Sequence, residues 1–261
     1  MTVDLSPVSL VLVFSMLLVP LAIMAYLQLD TLRQTLIAVA RMGVQLILVG
    51  LYLKYIFQLN NPLVSLLWVL VMLVVANFSV LNKAGFRRRF FFWRLLVGIA
   101  GATLLASGWF IFVVIRPEPI YDARYMVPIV GMILGNCLQS NVISLERFYS
   151  AIRKNENEFL TYLMLGATLQ EAVRPYLREA LRAVIAPIIA TMATMGIVTL
   201  PGMMTGQILG GSLPMVAIKY QTGITISIFV AMVSAAFLNI LLSLPVAFDE
   251  YQRLKTEIFE E

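Results

Sequence analysis

Apolar residues in this chain arrive in blocks of about 20, and this arrangement limits the possible folds more than any other feature. A block of that length is what a helix needs to cross the hydrocarbon layer of a bilayer. Only helices and closed barrels satisfy their backbone polar groups there, and the sequence lacks the alternating ten-residue segments of a barrel. Because 61% of the 261 residues are apolar and 13% are charged, a membrane explains the pattern better than a water-soluble core. We therefore predict an all-α polytopic membrane protein.

The predicted fold is a single transmembrane domain over residues 1–261 with about seven helices. The first block lacks a basic leader and a small-residue cleavage site, which favours a retained helix over a removed signal peptide. The predicted spans are 5–29, 34–57, 62–82, 94–115, 125–145, 183–200 and 222–245.

Lysine and arginine positions predict the orientation. With the N-terminus outside, 14 of the 19 basic residues fall in cytoplasmic segments and 4 in external segments or helix ends, while Arg41 remains inside the second helix. This bias obeys the positive-inside rule and predicts an N-out, C-in topology. The basic residues at 83–94 join two spans, so they indicate topology and not a nucleic-acid partner.

Residues 201–220 are apolar but interrupted by Pro201, Pro214 and four glycines. A full eighth span here would place the C-terminal tail outside, whereas a re-entrant or broken segment keeps the predicted topology. Glycines four residues apart allow close helix packing and could also form a gate. The glycines with this spacing are Gly202, Gly206 and Gly210 here, and Gly131 and Gly135 in the fifth span.

Several polar residues lie within apolar spans and could line a solute path. Arg41 and Gln45 share one face of the second helix, where a charge is costly and marks either a path or a structural hydrogen bond. Asn136 and Gln139 follow the glycines of the fifth span, and either helix packing or a lining role fits them. Gln207 and Gln221 are the remaining candidates for the path. The methionines clustered near 192–215 could bind a soft metal, but filling of an irregular core is the favoured interpretation.

The longest polar segment, 146–182, mixes charged and apolar residues. Thr168 and Glu171 have the spacing of a capping box, which predicts that a helix stops near Leu165 and another begins after Thr168. The helix near 156–170 is therefore either an amphipathic linker on the membrane surface or a docking helix for a soluble partner.

Most catalytic and energising machinery is missing from the sequence. It has no phosphate-binding loop, no histidine, a lone Cys137, and no carboxylate placed deep in a span to relay protons. We expect no enzyme and no cofactor bound by this chain, and the residues identify no metal ligands. A permease energised by a separate subunit remains.

Motifs along most of the chain resemble the FetB-type permeases of bacterial ABC transporters, which are similar to plant permeases linked to aluminium tolerance. The matching pieces run in the order of that family. They are Arg41-x-x-x-Gln45-x-x-x-x-Gly50, Pro128–Asn136, Leu165-Gly-Ala-Thr168, Gly196–Gly211 and Lys219-Tyr-Gln221.

The resemblance implies a multi-pass permease of the bacterial inner membrane that pairs with itself and with two copies of a cytoplasmic ATPase, which would bind ATP and Mg²⁺. It implies export of iron or another metal. It also assigns ATPase coupling to Glu158, Leu165, Gly166, Ala167 and Thr168.

This sequence departs from the family pattern at Ala190–Ala193, where relatives carry an acidic and a basic residue. Iron(III) prefers oxygen ligands, whereas this version of the pattern offers only amides, hydroxyls and thioethers. A metal chelate, an organic solute or a lipid-like compound therefore stays open as substrate. An ATPase-independent channel or carrier, and a membrane scaffold or sensor, are the alternative functions.

Overall fold

The computed structural model describes residues 6–259, and most of this range is helical. A π-helical segment, Trp109–Ile115, extends α5, and a 3₁₀ turn, Thr256–Ile258, lies in the C-terminal tail. Between residues 6 and 259 no β-strand forms beyond isolated bridges, which confirms the all-α class. The first residue of the predicted span 5–29 lies outside the described residues. The helices are α1 (Pro7–Ser15), α2 (Leu18–Tyr26), α3 (Leu32–Leu59), α4 (Pro62–Lys83), α5 (Arg88–Gly108), α6 (Ala123–Lys154), α7 (Glu156–Met164), α8 (Leu169–Thr194), α9 (Gly202–Leu209) and α10 (Pro214–Ala247).

Six helical stretches in the described part of the chain are long and apolar enough to cross a membrane. Each coincides with a predicted span, and α1 and α2 together form the first. The polytopic membrane fold is therefore confirmed, with six such stretches against about seven predicted. They are Val8–Tyr26, Leu32–Leu59, Pro62–Lys83, Arg88–Ile115, Ala123–Lys154 and Pro214–Ala247.

Helix α8 differs from the predicted span 183–200. It begins earlier because Thr168 caps its first turn, and it ends at Thr194, just before Gly196 turns the chain with a φ of +85°. Its first half makes it more polar than the six apolar stretches. The charged residues there are Glu171, Arg174, Arg178, Glu179 and Arg182.

The predicted break within 201–220 is present. Whether this segment re-enters the membrane stays a prediction. Helix α9 occupies its first half, and α10 begins at Pro214 instead of residue 222. Both α8 and α9 pack against α10. Helices α8 and α9 therefore form one interrupted segment beside a continuous helix.

The core lies among α4, α5, α6, α8 and α10. Small residues on the facing sides of α5 and α10 let the two backbones approach closely, which is how helices associate in lipid, where hydrophobic burial gives little net gain. Those residues are Gly98, Ala102 and Ala106 on α5, and Ala231 and Ala235 on α10.

Helices α1 to α3 lie outside this core. Helix α2 has no buried residue, and α3 buries only Ile56, which packs with Ala123 and Val127 of α6. Apart from its contact with α2, the first two-thirds of α3 therefore faces lipid or another protein.

Candidate functional site

The segment between α7 and α8 is a tight, exposed turn (residues 164–168), called here the α7–α8 turn. Gly166 takes a φ of +90°, a conformation that side-chain-bearing residues rarely adopt. The Thr168 hydroxyl accepts from the Glu171 N–H at 3.4 Å, while the Glu171 carboxylate accepts from the Thr168 N–H at 2.8 Å. This reciprocal pair is the predicted capping box, so the predicted helix stop and restart are confirmed.

Hydrogen bonds around the turn perturb two titratable groups. The backbone N–H and then the hydroxyl of Thr168 donate to Glu171, and both lower the pKa of that carboxyl below its ordinary value. The Tyr162 hydroxyl donates to Glu158 Oε1 at 2.9 Å, and this bond, with the carboxylate's charge, raises the pKa of Tyr162. Glu158 is thereby held against its own helix.

Helix α7 is anchored on one side and open on the other. Phe159 is buried, with its ring centroid 6.3 Å from that of Tyr176 on α8 and 5.6 Å from that of Phe248 after α10. Met164 and Leu165, at the α7–α8 turn, are 79% and 80% exposed. The turn thus presents apolar side chains outward from a firmly packed base.

The C-terminal tail (residues 248–259) packs against the connection between α4 and α5. The Arg87 N–H donates to the Ile258 carbonyl at 2.9 Å, and the Phe259 ring lies 5.6 Å from that of Phe86. A cavity of about 410 Å³ separates the tail from α7. Its charged lining residues are Arg87, Arg153, Glu156, Lys255 and Glu257.

Among the described residues, the path residues predicted on α3 and α6 make no hydrogen bond with one another. Arg41 and Gln45 are exposed on α3, and Arg41 makes no hydrogen bond or ion pair with any described residue. Asn136 bonds back to the Met132 carbonyl at 2.8 Å, and Gln139 is exposed. Within one chain these four side chains do not enclose a channel.

The predicted packing glycines have different surroundings. A Cβ added at Gly131 would lie 3.0 Å from Met72 of α4, so this glycine permits a close helix contact. Pro201 precedes the first turn of α9. Gln207, near the end of α9, is part-buried, and its side-chain oxygen has no partner among the described residues. At Gly210 an added Cβ would lie 3.2 Å from a carbonyl of α9 itself. The glycines with open space beside them are Gly135, Gly202 and Gly206.

A buried polar seam between α6 and α10 was not among the predicted path residues. Asn239 donates to Asn141 Oδ1 at 2.6 Å, and the Tyr149 hydroxyl lies 2.6 Å from Ser243 Oγ. Ser140 and Ser144 are also buried along α6. The polar residues at 140, 141 and 144 share one face, and that helical spacing was the available signal.

No group of three or more metal-binding histidine, cysteine, aspartate or glutamate side chains occurs within residues 6–259. Cys137 is fully buried in the core.

Residues 7–248 match the protein family described as "Uncharacterised protein family (UPF0014)". The UPF0014 membrane protein slr1647 of Synechocystis is 37% identical over 201 residues, covering 77% of this chain and 78% of its own. Protein ALUMINUM SENSITIVE 3 of Arabidopsis thaliana is 30% identical and covers 85% of this chain and 80% of its own.

The probable iron export permease protein FetB of Escherichia coli is 31% identical over 193 residues, which cover 72% of this chain and 71% of the relative. No solved structure matches. The predicted resemblance to FetB-type permeases is confirmed, and the chain belongs to the UPF0014 family of membrane proteins.

Proposed function

We propose that this chain is the permease subunit of an ABC transporter and moves a metal ion or small solute outward across a bacterial plasma membrane. A separate cytoplasmic ATPase, in two copies, would bind ATP and Mg²⁺. The observation that carries the proposal is the exposed α7–α8 turn, which presents apolar side chains from a packed base. The name of the Escherichia coli relative supports a transporter, as distinct from an enzyme.

The turn is suited to transmit force from a docked partner. Met164 and Leu165 offer an apolar contact, and the Thr168 cap joins the turn rigidly to α8. Behind them, Phe159 packs on both α8 and the C-terminal tail. A push on α7 would therefore move α8 and the tail together.

A homodimer of the permease accounts for the exposed part of α3. Arg41 lies in a helix that is otherwise apolar enough to span the membrane, and no described residue pairs with it. A guanidinium facing lipid is costly, by about 2.5–3.5 kcal/mol on insertion scales. A second copy packed on α3 would cover Arg41 and Gln45 and could place them on a shared path.

Transport then follows from two states biased by nucleotide. Closure of the ATPase subunits would shift α7 and α8, and the interrupted α8–α9 segment would move against the continuous α10. Gln221 of α10 lies beside that interruption and is the path candidate best placed to sense the change.

The proposal is tested by co-purifying the chain with ATPases from its own genome and measuring ATP hydrolysis and solute flux in liposomes with metals and organic solutes. We expect a stable complex whose hydrolysis rises with one solute. Leu165→Glu should abolish the complex or its stimulation. Ile120→Glu, an exposed apolar residue in the connection before α6, is the matched control and should leave both intact.

Absence of any ATPase complex, with solute flux by the chain alone, would favour a channel or carrier. Binding of a partner without flux would favour a scaffold.

A further inference from the structure

A cavity of about 380 Å³ lies where α8 is interrupted, between the end of α8, the start of α9 and one face of α10. Three methionines, Met192, Met195 and Met204, line it together with Gln221 and Thr225. Methionine is common filler in apolar cores, but here three thioethers border empty space next to buried polar groups.

The interruption of α8 brings these thioethers to one cavity. Met192 lies in the last turn of α8, and Met195 directly follows the end of that helix. Met195 leaves the helix in an extended conformation, and Gly196 then closes a loop in which its N–H donates to the Thr199 carbonyl at 2.9 Å. That loop leads into α9, which supplies Met204.

Polar groups on α10 face the same cavity. Thr225 Oγ1 lies 3.6 Å from the Met195 sulfur and 3.0 Å from Gln221 Nε2. Gln221 is 9% exposed, and its side-chain oxygen is buried with no hydrogen-bond partner among the described residues. Because buried acceptors are nearly always satisfied, this oxygen needs a partner beyond the described side chains, either a bound water or a ligand.

The available donors select a class of ligand. Among the described residues no carboxylate, imidazole or thiolate lines the cavity, so a hard cation such as iron(III) or Mg²⁺ would find few oxygen ligands and none of the negative charge it needs. Neutral thioethers prefer soft ions, and a monovalent ion needs the least charge compensation.

We propose that Met192, Met195 and Met204 bind a soft monovalent metal ion, Cu(I) or Ag(I), with Gln221 and Thr225 completing the site. Binding itself is independent of any ATPase. The ion's role as transported cargo rests on the proposed function.

The test is titration of the purified chain with Ag(I), which is soft and inert to redox change, in the absence of ATP and of any partner. We expect one ion per chain at this site. The triple variant Met192→Leu/Met195→Leu/Met204→Leu should weaken binding by at least about tenfold. Leucine is close in volume to methionine, so the core should tolerate the change.

The matched control is Met16→Leu/Met24→Leu/Met42→Leu, since these three methionines lie within residues 7–59 and outside both the cavity and the α7–α8 turn. It should bind as the parent chain does.

If the triple variant does not fold, the single variant Met195→Leu replaces it. Copper X-ray absorption on selenomethionine-labelled protein is then measured as well and should show Cu–Se scattering. The proposal is overturned if the parent chain does not bind Ag(I), if the cavity variants bind as tightly as the control, or if Cu–Se scattering is absent. In those cases the methionines are core filler. Loss of the ATPase interaction alone would contradict the proposed function and leave this site standing.

Discussion

Asn239 of α10 donates a hydrogen bond to Asn141 Oδ1 of α6 at 2.6 Å, and both side chains are fully buried. Asn141 in turn donates to the Cys137 carbonyl one turn earlier at 2.7 Å. The Asn239–Asn141 bond joins α10 and α6, the two longest helices of the fold, within its packed core. The pair therefore fixes the register of α6 against α10.

Asn141→Leu should destabilise the protein because it leaves the Asn239 amide without its partner in an apolar core. Hydrogen bonds between membrane helices contribute about 0.6–2 kcal/mol, and we expect a loss of that order in unfolding measured in lipid or mild detergent. The double variant Asn141→Leu/Asn239→Leu removes both polar groups and should recover part of the loss. Unchanged stability in the single variant would show that the pair does not set the register.

Gly98→Ala should also destabilise the protein, because an added Cβ on α5 would overlap the Asn239 amide. Overpacking of this kind costs about 1–3 kcal/mol. Gly101→Ala is the matched control on the same helix, since an added Cβ there has no neighbour within 4 Å. Equal unfolding midpoints for the two variants would contradict the close approach of α5 and α10.

Thr168→Ala should loosen the first turn of α8, because it removes the hydroxyl that caps the helix. Loss of such a cap costs about 1 kcal/mol, and hydrogen exchange at the first amides of α8 should quicken accordingly. Thr161→Ala, an exposed threonine inside α7, should leave those amides unchanged. The same protection in both variants would mean that Thr168 is not the cap.

The capping box should also respond to pH. Because the folded state lowers the pKa of Glu171, its contribution to stability is present above the ordinary glutamate value of about 4.3 and is lost as pH falls through the lowered one. Protection factors for the first turn of α8, corrected for intrinsic exchange, should fall in that acidic window. Glu171→Gln should remove this pH dependence, and a dependence that persists would need another titrating group.

Much of the fold follows from sequence, because long apolar stretches and a capping box are local signals. Six predicted spans and the restart after Thr168 depend only on neighbours in the chain. The sequence did not predict that this helix continues into the span 183–200, because its charged first half is polar enough to suggest a linker. The extent of α10 was hidden by the glycines and prolines that precede it.

The candidate site was harder to predict because its contacts join distant segments. Asn141 and Asn239 are 98 positions apart, and no local pattern pairs them. The methionine cluster was visible in sequence, but the cavity beside it and the unpartnered oxygen of Gln221 depend on how α8, α9 and α10 meet. Arg41 has no partner among the described residues, so its role depends on the proposed homodimer, which no local pattern in one sequence predicts.

The most direct test of the account is solute uptake by inside-out membrane vesicles that contain the chain and its ATPase, with metals supplied outside. We predict uptake that requires ATP, fails with Leu165→Glu and persists with Ile120→Glu. Uptake that proceeds equally without ATP or without the ATPase would contradict the claim that this chain is the permease of an ABC transporter.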